Sequence, residues 1–415
     1  MKRVLFIAGE PSGDINGAYF VEALRARVPG LDAYGVGGPE MQRAGLRPIH
    51  NITELSVIGL VEVARNYFRL KAVFDDLLRH VDEDAPDAVV LIDYPGFNIR
   101  LAKRIKQRHP TLPVIYFISP QIWAWGHRRI YAIRRVVDLM LVLFPFEVDV
   151  YEKGGRWVVK DDTLTIATHH FLRPSPMQTR CVGHPLAGRV ARFQPDPAFA
   201  TAARIPALRR VVALLPGSRD NEVKAILPVM LRCAEQLRAR QADLFFLISC
   251  ARPGLDALIA RIVSQAGIAG FDEHYRVIPE RMYDIVHASR IVLVASGTAA
   301  FEAALMHKPI LVLYHVNYLT FIVARLLFTI PFINLANIIA GRRIVPEFIQ
   351  YQMTPARIVP AAEGLLTDAA RYGATVADLA RVAETLGHGN AGERAAAEMC
   401  AFMRGTGNPL EADRT

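Results

Sequence analysis

The stretch RVLFIAGEPSGD, residues 3–14, joins six mostly apolar residues to a polar turn rich in Gly, Pro and Ser. A short apolar run of this kind is typical of a strand buried on both faces of a parallel sheet. Apolar residues at helical spacing follow over residues 15–27 and end before Pro29-Gly30. The same order recurs at VVALLPGSR, residues 211–219. The sequence therefore predicts two halves, each built from strand, loop and helix in turn.

Other short apolar runs lie in both halves of the chain. They cover residues 33–36, 88–92, 114–118, 139–144, 244–249, 291–294 and 310–313. Helix-length stretches separate most of them, which favours parallel sheets with right-handed crossovers. We therefore predict an α/β protein with two Rossmann-like, doubly wound domains. They are placed at residues 1–183 and 184–374, with a C-terminal helix at about 375–415 that packs on the first domain or on a partner.

One segment, residues 154–178, interrupts this alternation of strands and helices. We predict an inserted loop or hairpin there and assign it no function. It contains His169 and His170, but no third ligand stands at a suitable spacing, so the sequence predicts no metal site.

Composition narrows the class of protein. The chain has 415 residues, of which 52% are hydrophobic and 21% charged, which excludes a disordered protein. Its four cysteines show no CxxC spacing, which excludes a disulfide scaffold and disfavours a zinc ribbon. The net charge of +9 favours an anionic partner such as a nucleotide or an anionic lipid. Nucleic acid is the least favoured partner, because Lys and Arg are dispersed and no recognition motif is present.

Two apolar segments bear on localisation. The first, residues 4–8, is shorter than a secretory signal and runs into Glu10, so we expect a cytoplasmic protein. The second, residues 321–341, has the length of a membrane span. Four polar or helix-breaking residues interrupt it: Arg325, Pro331, Asn334 and Asn337. We therefore expect a segment buried in the protein instead of a membrane span.

Polar loops follow the predicted strands, and the carboxyl ends of strands are where open α/β sheets bind ligands. In the first loop, Glu10 and Asp14 disfavour a phosphate and favour a hydroxylated ligand near Ser12. The alternative is a tight turn with Asp14 as a helix cap. Asp93 follows a buried strand and suits a general base if burial raises its pKa, or else it caps a turn.

Two loops of the second half have groups suited to a nucleotide. In Pro216-Gly217-Ser218-Arg219, backbone amides, a hydroxyl and a guanidinium meet at a helix start, which suits a pyrophosphate. Arg219 is otherwise an ion-pair partner of Glu222.

In the second of these loops, Ser296, Gly297 and Thr298 precede another helix, where the hydroxyls cap it or hold phosphate oxygens. Glu302, one turn into that helix, is placed to accept the two hydroxyls of a ribose.

Aromatic and basic residues alternate in two places. Trp123 and Trp125 stack on a sugar or base, or belong to the core. The basic residues behind them form a solvated face or touch anionic headgroups: His127, Arg128, Arg129, Arg134 and Arg135. Residues 58–78 fit an interfacial amphipathic helix, or a core helix with snorkelling basic residues. We call its apolar members the interfacial set: Val61, Val63, Tyr67, Phe68 and Leu70.

Taken together, these loops resemble one family, the lipid-A-disaccharide synthases. The matching stretches run in order from residue 8 to residue 350: AGEPSGD, GVGGPEM, IGLVEV, LIDYPGFN, YFISPQIWAW, LFPFE, VGHPL, LLPGSR, ASGTAAFE and NLANIIAGRRIVPEFIQ. Each is short, and their combination is what makes the resemblance specific.

The resemblance implies an inverting glycosyltransferase of the GT-B architecture, in which two Rossmann-like domains face a cleft. It transfers 2,3-diacylglucosamine from its UDP derivative to the 6-hydroxyl of 2,3-diacylglucosamine 1-phosphate (lipid X). The products are a β-1,6-linked tetraacyl disaccharide 1-phosphate and UDP. The family also implies a peripheral enzyme on the inner face of the bacterial inner membrane, with no metal or other cofactor. The resemblance does not determine the oligomeric state, and a homodimer is one alternative.

The resemblance also assigns roles. Asp93 is the candidate base for the 6-hydroxyl, while Glu10, Ser12 and Asp14 line the acceptor side. The interfacial set faces the membrane. A larger set is assigned to binding UDP and the donor sugar: Ser218, Arg219, Ser296, Gly297, Thr298, Glu302, Asn337, Glu347 and Gln350. Gly96 stands where some members have an acidic residue, which argues against a mechanism with two carboxylates.

Two other classes of protein fit part of the pattern. One is another GT-B enzyme that uses UDP-N-acetylglucosamine, either an epimerase or a soluble glycosyltransferase. The other is a membrane-docked protein that binds a nucleotide or lipid without catalysis. The interfacial set argues against a soluble enzyme, and the number of ligand-type loops argues against a protein that only binds.

Overall fold

A computed structural model describes residues 2–55, 67–160, 163–167, 175–316, 330–387 and 389–405. The described residues fall into two compact units. The first lies within Met1–Trp157, Ile166–Gly188 and Leu386–Thr415, and the second within Val158–Thr165 and Arg189–Thr385. The last described residues, 389–405, thus belong to the first unit.

The first unit contains a seven-stranded sheet in the order β3-β2-β1-β4-β5-β6-β9, and every pairing in it is parallel. Its strands are β1 (Arg3–Ala8), β2 (Asp32–Gly37), β3 (Arg47–Asn51), β4 (Ala88–Ile92), β5 (Val114–Phe117), β6 (Leu139–Val142) and β9 (Gln178–Cys181). Between β6 and β9, β7 (Arg156–Lys160) and β8 (Thr163–Ala167) form a separate two-stranded sheet. That small sheet lies in the segment for which we predicted an inserted loop or hairpin.

Helices connect these strands. They are α1 (Pro11–Arg27), α2 (Pro39–Arg43), α3 (Tyr67–Asp84), α4 (Pro95–Arg108), α5 (Ile130–Val136) and α6 (Pro145–Lys153). Short 3-10 turns cover Ile52–Glu54 and His127–Arg129.

The second unit repeats the plan with a six-stranded parallel sheet in the order β12-β11-β10-β13-β14-β15. The strands are β10 (Arg210–Leu215), β11 (Leu244–Cys250), β12 (Tyr275–Pro279), β13 (Ile291–Ala295), β14 (Ile310–Tyr314) and β15 (Glu347–Ile349). The α/β class with two doubly wound sheets is thereby confirmed.

The remaining helices follow in chain order, and a 3-10 turn covers Gln350–Gln352. They are α7 (Pro185–Ala191), α8 (Phe199–Ala202), α9 (Asp220–Arg240), α10 (Asp256–Ala266), α11 (Phe271–His274), α12 (Met282–Ala288), α13 (Thr298–Leu305), α14 (Leu335–Ala340), α15 (Pro355–Thr367), α16 (Ala369–Leu386) and α17 (Ala391–Gly405). Among the described helices, none combines the length and apolar character that a membrane span requires.

The central strands form the cores because helices cover both faces of each sheet. Every residue of β4 is buried, as is every residue of β11. Aromatic side chains pack edge to face in the first unit, with ring centroids of Phe20 and Phe117 5.2 Å apart. In the second unit the rings of Phe246 and Tyr275 stack at 4.9 Å. This burial on both faces explains why the strands read as continuous apolar runs.

The first helix begins earlier than the sequence analysis predicted. We expected a polar loop through Asp14, but α1 starts at Pro11. Proline suits the first helical position, because its fixed φ is helical. It lacks an N–H group, but an N–H at this position would have no partner within the helix. Gly9, just before it, allows a close approach, since a Cβ at that position would clash with the ring of Tyr94.

The C-terminal helix α17 packs on α1 within the first unit. Gly392 makes this possible, because a Cβ there would lie 2.6 Å from the backbone of Tyr19. Ala395, Ala396 and Met399 of α17 are fully buried. The last described element of the chain therefore completes the core of the unit in which the chain begins.

Candidate active site

Asp93 follows β4 at the carboxyl edge of the first sheet. Both Asp93 (φ 48°) and Tyr94 (φ 46°) adopt the left-handed backbone conformation, which is uncommon for residues other than glycine. Two side chains hold this turn through the carbonyl oxygen of Asp93: the Tyr116 hydroxyl donates to it at 2.6 Å and the Asn98 amide at 2.8 Å. The surrounding structure therefore fixes the position of Asp93.

The surroundings of Asp93 favour the protonated carboxyl. Burial raises the pKa of Asp93 to about 6, and the negative charge of Glu10 adds to the effect. A hydrogen bond from the Tyr94 amide acts in the opposite direction. Glu10 is exposed and follows β1, whose last residue pairs with the last residue of β4. The structure therefore brings Glu10 and Asp93 together, and a carboxyl with this pKa suits proton transfer near neutral pH.

Asp14 is occupied within the protein. Its buried carboxylate accepts hydrogen bonds from the amides of Gly38 (2.8 Å), Glu40 (3.1 Å) and Met41 (3.0 Å), at the start of α2. The alternative that Asp14 caps its own helix is wrong, because it lies inside α1 and binds amides at the start of α2 instead. Ser12, two residues earlier, is exposed. Asp14 thus connects α1 to the loop that follows β2.

Glu147 carries a buried network that the sequence analysis did not single out. Its carboxylate accepts from the Ser119 hydroxyl (2.6 Å) and the Trp123 indole (2.9 Å), and from the amides of Leu143 and Phe144 (3.0 Å each). Burial raises the pKa of Glu147, and these bonds oppose the rise. The available signal was the acidic residue three positions after Phe144, which is the spacing of a capping box.

The two tryptophans of the β5 loop differ in environment. Trp123 is buried, so for this residue the core alternative is the one that the structure shows. Trp125 is 38% exposed, and the guanidinium of Arg129 lies 4.2 Å from the centre of its ring. Only Trp125 of the pair is therefore open to a ligand.

In the second unit, the loop after β10 already holds a carboxylate. Glu222 accepts from the amides of Ser218 (3.2 Å) and Arg219 (3.3 Å), and its other oxygen pairs with the Arg219 guanidinium at 2.9 Å. Gly217 has a φ of 114°, and a Cβ there would meet Glu222. The ion-pair alternative for Arg219 is thus present in this structure, and an anion occupies the amides that suit a pyrophosphate.

The loop after β13 begins α13 without a side-chain cap. Gly297 (φ 149°) is the N-cap residue, and as a glycine it has no side chain to bind the first amides of the helix. Gly297 and Thr298 are exposed and Ser296 is half-buried. The N-cap position is therefore held by glycine and not by either hydroxyl-bearing residue. The loop lies beside β14, since the Ser296 amide donates to Leu313 at 2.8 Å.

Glu302 is buried and oriented by two residues that the sequence analysis missed. The Tyr283 hydroxyl donates to Oε1 at 2.6 Å, and a guanidinium nitrogen of Arg189 lies 3.5 Å from the same oxygen. Burial raises the pKa of Glu302, and both partners oppose the rise. Both contacts are on one oxygen, so Oε2 is not bound by either of them. No sequence spacing indicates these partners, because they come from α7 and α12.

Asn337 and Glu347 bind one another. The Asn337 amide donates to Glu347 Oε1 at 2.8 Å, while its oxygen accepts from the amides of Ile344 (2.8 Å) and Val345 (2.9 Å). Glu347 also accepts from the amides of residues 333 and 334 at 3.0 Å each. Both side chains are buried. Their polar atoms therefore fix the course of residues 333–347, the described part of the chain that leads into β15.

Gln350, which directly follows β15, binds Val316, two residues after β14. Its side-chain oxygen accepts from the Val316 amide at 3.0 Å, and its nitrogen donates to the Val316 carbonyl at 2.8 Å. It has a left-handed φ of 51° directly after β15. Gln350 therefore pairs with Val316 in the way that a neighbouring strand would.

The interfacial set is only partly described. Val61, Val63 and the side chain of Tyr67 lie outside the described residues, as do His169 and His170 of the insertion. Phe68, on the first turn of α3, is 84% exposed, and Leu70 is half-buried. Within the described ranges, no three His, Cys, Asp or Glu side chains group as a metal site would need.

A family model described as lipid-A-disaccharide synthetase matches residues 4–159 and 168–398. The chain is 38% identical over 404 residues to the lipid-A-disaccharide synthase of Anaeromyxobacter dehalogenans strain 2CP-C, covering 97% of this chain and 98% of that one. It is 38% identical over 396 residues to the enzyme of that name from Geobacter sulfurreducens, covering 95% of each chain.

Solved structures with the same fold are more distant in sequence. A putative UDP-N-acetylglucosamine 2-epimerase from Listeria monocytogenes has a TM-score of 0.62 at 14% identity, covering 99% of each chain. The glycotransferase of kitacinnamycin has a TM-score of 0.60 at 14% identity, covering 96% of this chain and 98% of that one. At this identity the likeness concerns the fold alone.

Proposed function

The chain belongs to the lipid-A-disaccharide synthase family, and we propose how its own residues carry out the transfer of the sugar. It is a UDP-sugar glycosyltransferase that joins two acylated glucosamines. The donor is UDP-2,3-diacylglucosamine and the acceptor is lipid X. The observation that carries the proposal is the Asp93 carboxyl, held at the end of β4 with its pKa raised to about 6.

In the proposed step, the 6-oxygen of lipid X attacks the anomeric carbon of the donor sugar. The new carbon–oxygen bond forms as the bond to UDP breaks, and UDP leaves with the electron pair. Asp93 accepts the proton of the 6-hydroxyl and later releases it to water. A single displacement turns the α-linked donor into a β-linked product. One base is enough, which agrees with Gly96 near Asp93 where some members carry a second acidic residue.

The charge that develops on UDP needs positive partners. We assign this role to the guanidinium of Arg219, the amides of Ser218 and Arg219, and the loop Ser296–Gly297–Thr298, without a metal ion. Because Glu222 holds the same amides in the free protein, the pyrophosphate has to displace its carboxylate. Glu222 therefore keeps this site charge-balanced until the nucleotide arrives.

The ribose is assigned to Glu302. With Tyr283 and Arg189 on Oε1, the second oxygen of Glu302 can accept from ribose hydroxyls. Asn337, Glu347 and Gln350 have their polar groups satisfied within the protein, so we assign them a positioning role in the donor pocket. On the acceptor side, Asp14 likewise positions a loop, while Glu10 and Ser12 are exposed to the substrate.

The acylated substrates imply a lipid surface as the place of reaction. We propose that the enzyme is peripheral on the inner face of the bacterial inner membrane, with an anionic surface as its partner. The exposed Phe68 beside Arg69 and Lys71 supports this, because aromatic and basic residues together suit a membrane interface. A homodimer is compatible with the proposal, which does not depend on it.

The proposal is tested by incubating the purified protein, in neutral detergent micelles, with UDP-2,3-diacylglucosamine and lipid X. Mass spectrometry should detect the tetraacyl disaccharide 1-phosphate, with one UDP released per disaccharide. Omission of lipid X is the matched control, and it should abolish UDP release. A change of the donor sugar without an acceptor would indicate an epimerase instead. Binding of UDP-sugar without any product would indicate a protein that only binds.

A further inference from the structure

The loop after β5 and the helix α5 that follows it carry a cluster of positive charge that the proposed function leaves unused. Residues 119–136 contain four arginines and one histidine, and no Asp or Glu. Not all of these charges are free, since the Arg134 guanidinium donates to the carbonyl of Tyr151. We consider three residues at the tip of the loop, Trp125, Arg128 and Arg129, and call them the Trp125 cluster.

The loop beneath the cluster is firmly anchored. Glu147 binds Ser119 and Trp123, as described, and the Tyr151 hydroxyl donates to the carbonyl of Pro120 at 3.0 Å. Trp123 and its neighbours Ile122 and Ala124 are buried. A ligand that binds at the tip would therefore meet a preorganised loop, which lowers the entropy lost on binding.

The tip itself is exposed and carries positive charge. Gly126 turns the chain with a φ of 70°, and the Arg129 amide donates to its carbonyl at 3.0 Å. The Arg129 guanidinium stacks 4.2 Å from the centre of the Trp125 ring, which orients it without neutralising it. Arg128 is exposed. In the described part of the chain, neither Arg128 nor Arg129 has a carboxylate partner.

The topology places this tip at the same edge of the sheet as Asp93. Strands β4 and β5 are parallel neighbours, with Ile92 opposite Phe117, and the Asp93 amide donates to the Phe117 carbonyl at 3.0 Å. A helix that returns from one parallel strand to the next begins at the carboxyl edge. Because Arg128 and Arg129 directly precede α5, which returns the chain to β6, they lie at that edge too.

We propose that the Trp125 cluster is a binding site for the phosphomonoester of the acceptor sugar. This inference rests on the proposed function, in which Asp93 faces the 6-hydroxyl of the same sugar. A phosphomonoester carries between one and two negative charges at neutral pH, and a guanidinium can bind two of its oxygens at once. The cluster then selects acceptors that carry the phosphate and sets their orientation relative to Asp93.

The test compares two acceptors, lipid X and 2,3-diacylglucosamine without the phosphate, in micelles of a neutral detergent. We expect Arg128→Ala and Arg129→Ala each to raise the KM for lipid X about tenfold, since a hydrogen bond to a charged group is of that order. The kcat should change little, because the contact is the same in the ground and transition states. The KM for the UDP-sugar should not change.

The phosphate-free acceptor decides whether the phosphate is the ligand. The wild type should use it poorly, and the two substitutions should cause no further loss with it. Arg128→Lys should retain part of the affinity, because lysine keeps the charge without the planar fork. Arg135→Ala is the matched control, since Arg135 is exposed on the following helix and lies outside the cluster.

Other outcomes overturn the inference. An equal loss with both acceptors would mean that the cluster acts on the fold or the sugar and not on the phosphate. A loss seen only with substrates in anionic vesicles would assign the cluster to lipid headgroups. Unchanged kinetics with lipid X would exclude it from binding. A wild type that makes no disaccharide would instead overturn the proposed function, so the two failures are distinguishable.

Discussion

The Tyr116 hydroxyl donates a hydrogen bond of 2.6 Å to the carbonyl oxygen of Asp93. This bond joins a residue within the buried strand β5 to the residue that directly follows β4, and it helps to hold Asp93 in a left-handed conformation. The fold therefore determines the position of the proposed base through its backbone. The reactivity of its carboxyl depends on burial and on the charge of Glu10. Backbone position and side-chain pKa can thus be tested separately.

Activity should depend on pH through Asp93. A base must be ionised, so kcat/KM should fall as the pH drops below about 6, where Asp93 becomes protonated. Glu10→Gln removes a negative charge that raises this pKa, so the acidic limb of the profile should move to lower pH. The control is Glu40→Gln, which removes a carboxylate paired with Arg43. An acidic limb that stays in place in Glu10→Gln would contradict this role of Glu10.

Asp93→Asn should make the protein more stable at neutral pH. The pKa of Asp93 is raised in the folded protein, so the ionised carboxylate costs stability once the pH rises from about 4 through about 6. The variant should gain about 1 to 3 kcal/mol at pH 7.5 and almost nothing at pH 3.5. Urea denaturation at the two pH values measures the difference. A gain independent of pH would mean that ionisation is not its cause.

Removing the Glu222 carboxylate should strengthen nucleotide binding. Glu222→Gln leaves a neutral acceptor on the amides of Ser218 and Arg219, so the pyrophosphate no longer displaces a charge. We expect the Kd for UDP, measured by calorimetry, to fall about threefold to tenfold, as removal of one charge-assisted competitor suggests. Glu235→Gln, on the same helix but paired with Arg238, should bind UDP as the wild type does. Weaker binding by Glu222→Gln would contradict the proposed displacement.

Tyr283 should act on the ribose through Glu302. Tyr283→Phe removes the hydroxyl that orients this carboxylate, so the KM for the UDP-sugar should rise about threefold to tenfold, as expected from one lost hydrogen bond. A donor that lacks the ribose 2′- and 3′-hydroxyls should bind the wild type and the variant equally. Tyr372→Phe, elsewhere in the second unit, serves as the control. A loss that persists with the modified donor would mean that Tyr283 acts on the fold in general.

The sequence predicted the parts of the fold that depend on local pattern. Strands such as β4 and β11 are apolar throughout because both of their faces are covered. The start of α1 was missed, because Gly-Glu-Pro-Ser-Gly reads as a loop although proline also suits a helix start.

From the sequence, residues of the candidate site could be predicted only where they lie in a loop that directly follows a strand. Asp93 stands out for that reason, and a resemblance to one family supplied the roles. Partners distant in sequence gave no signal: Tyr283 and Arg189 reach Glu302 from other helices. Apolar pattern alone also did not separate Trp123, which is buried on Glu147, from the exposed Trp125.

The rate of sugar transfer by Asp93→Asn tests the central claim most directly. The measurement is disaccharide formation from UDP-2,3-diacylglucosamine and lipid X at pH 7.5, with saturating substrates and in parallel with the wild type. We predict a loss of about a thousandfold, within the range of general-base catalysis, by a variant that is fully folded and still binds UDP. A rate within about tenfold of the wild type would contradict the account and assign the proton of the 6-hydroxyl to another group.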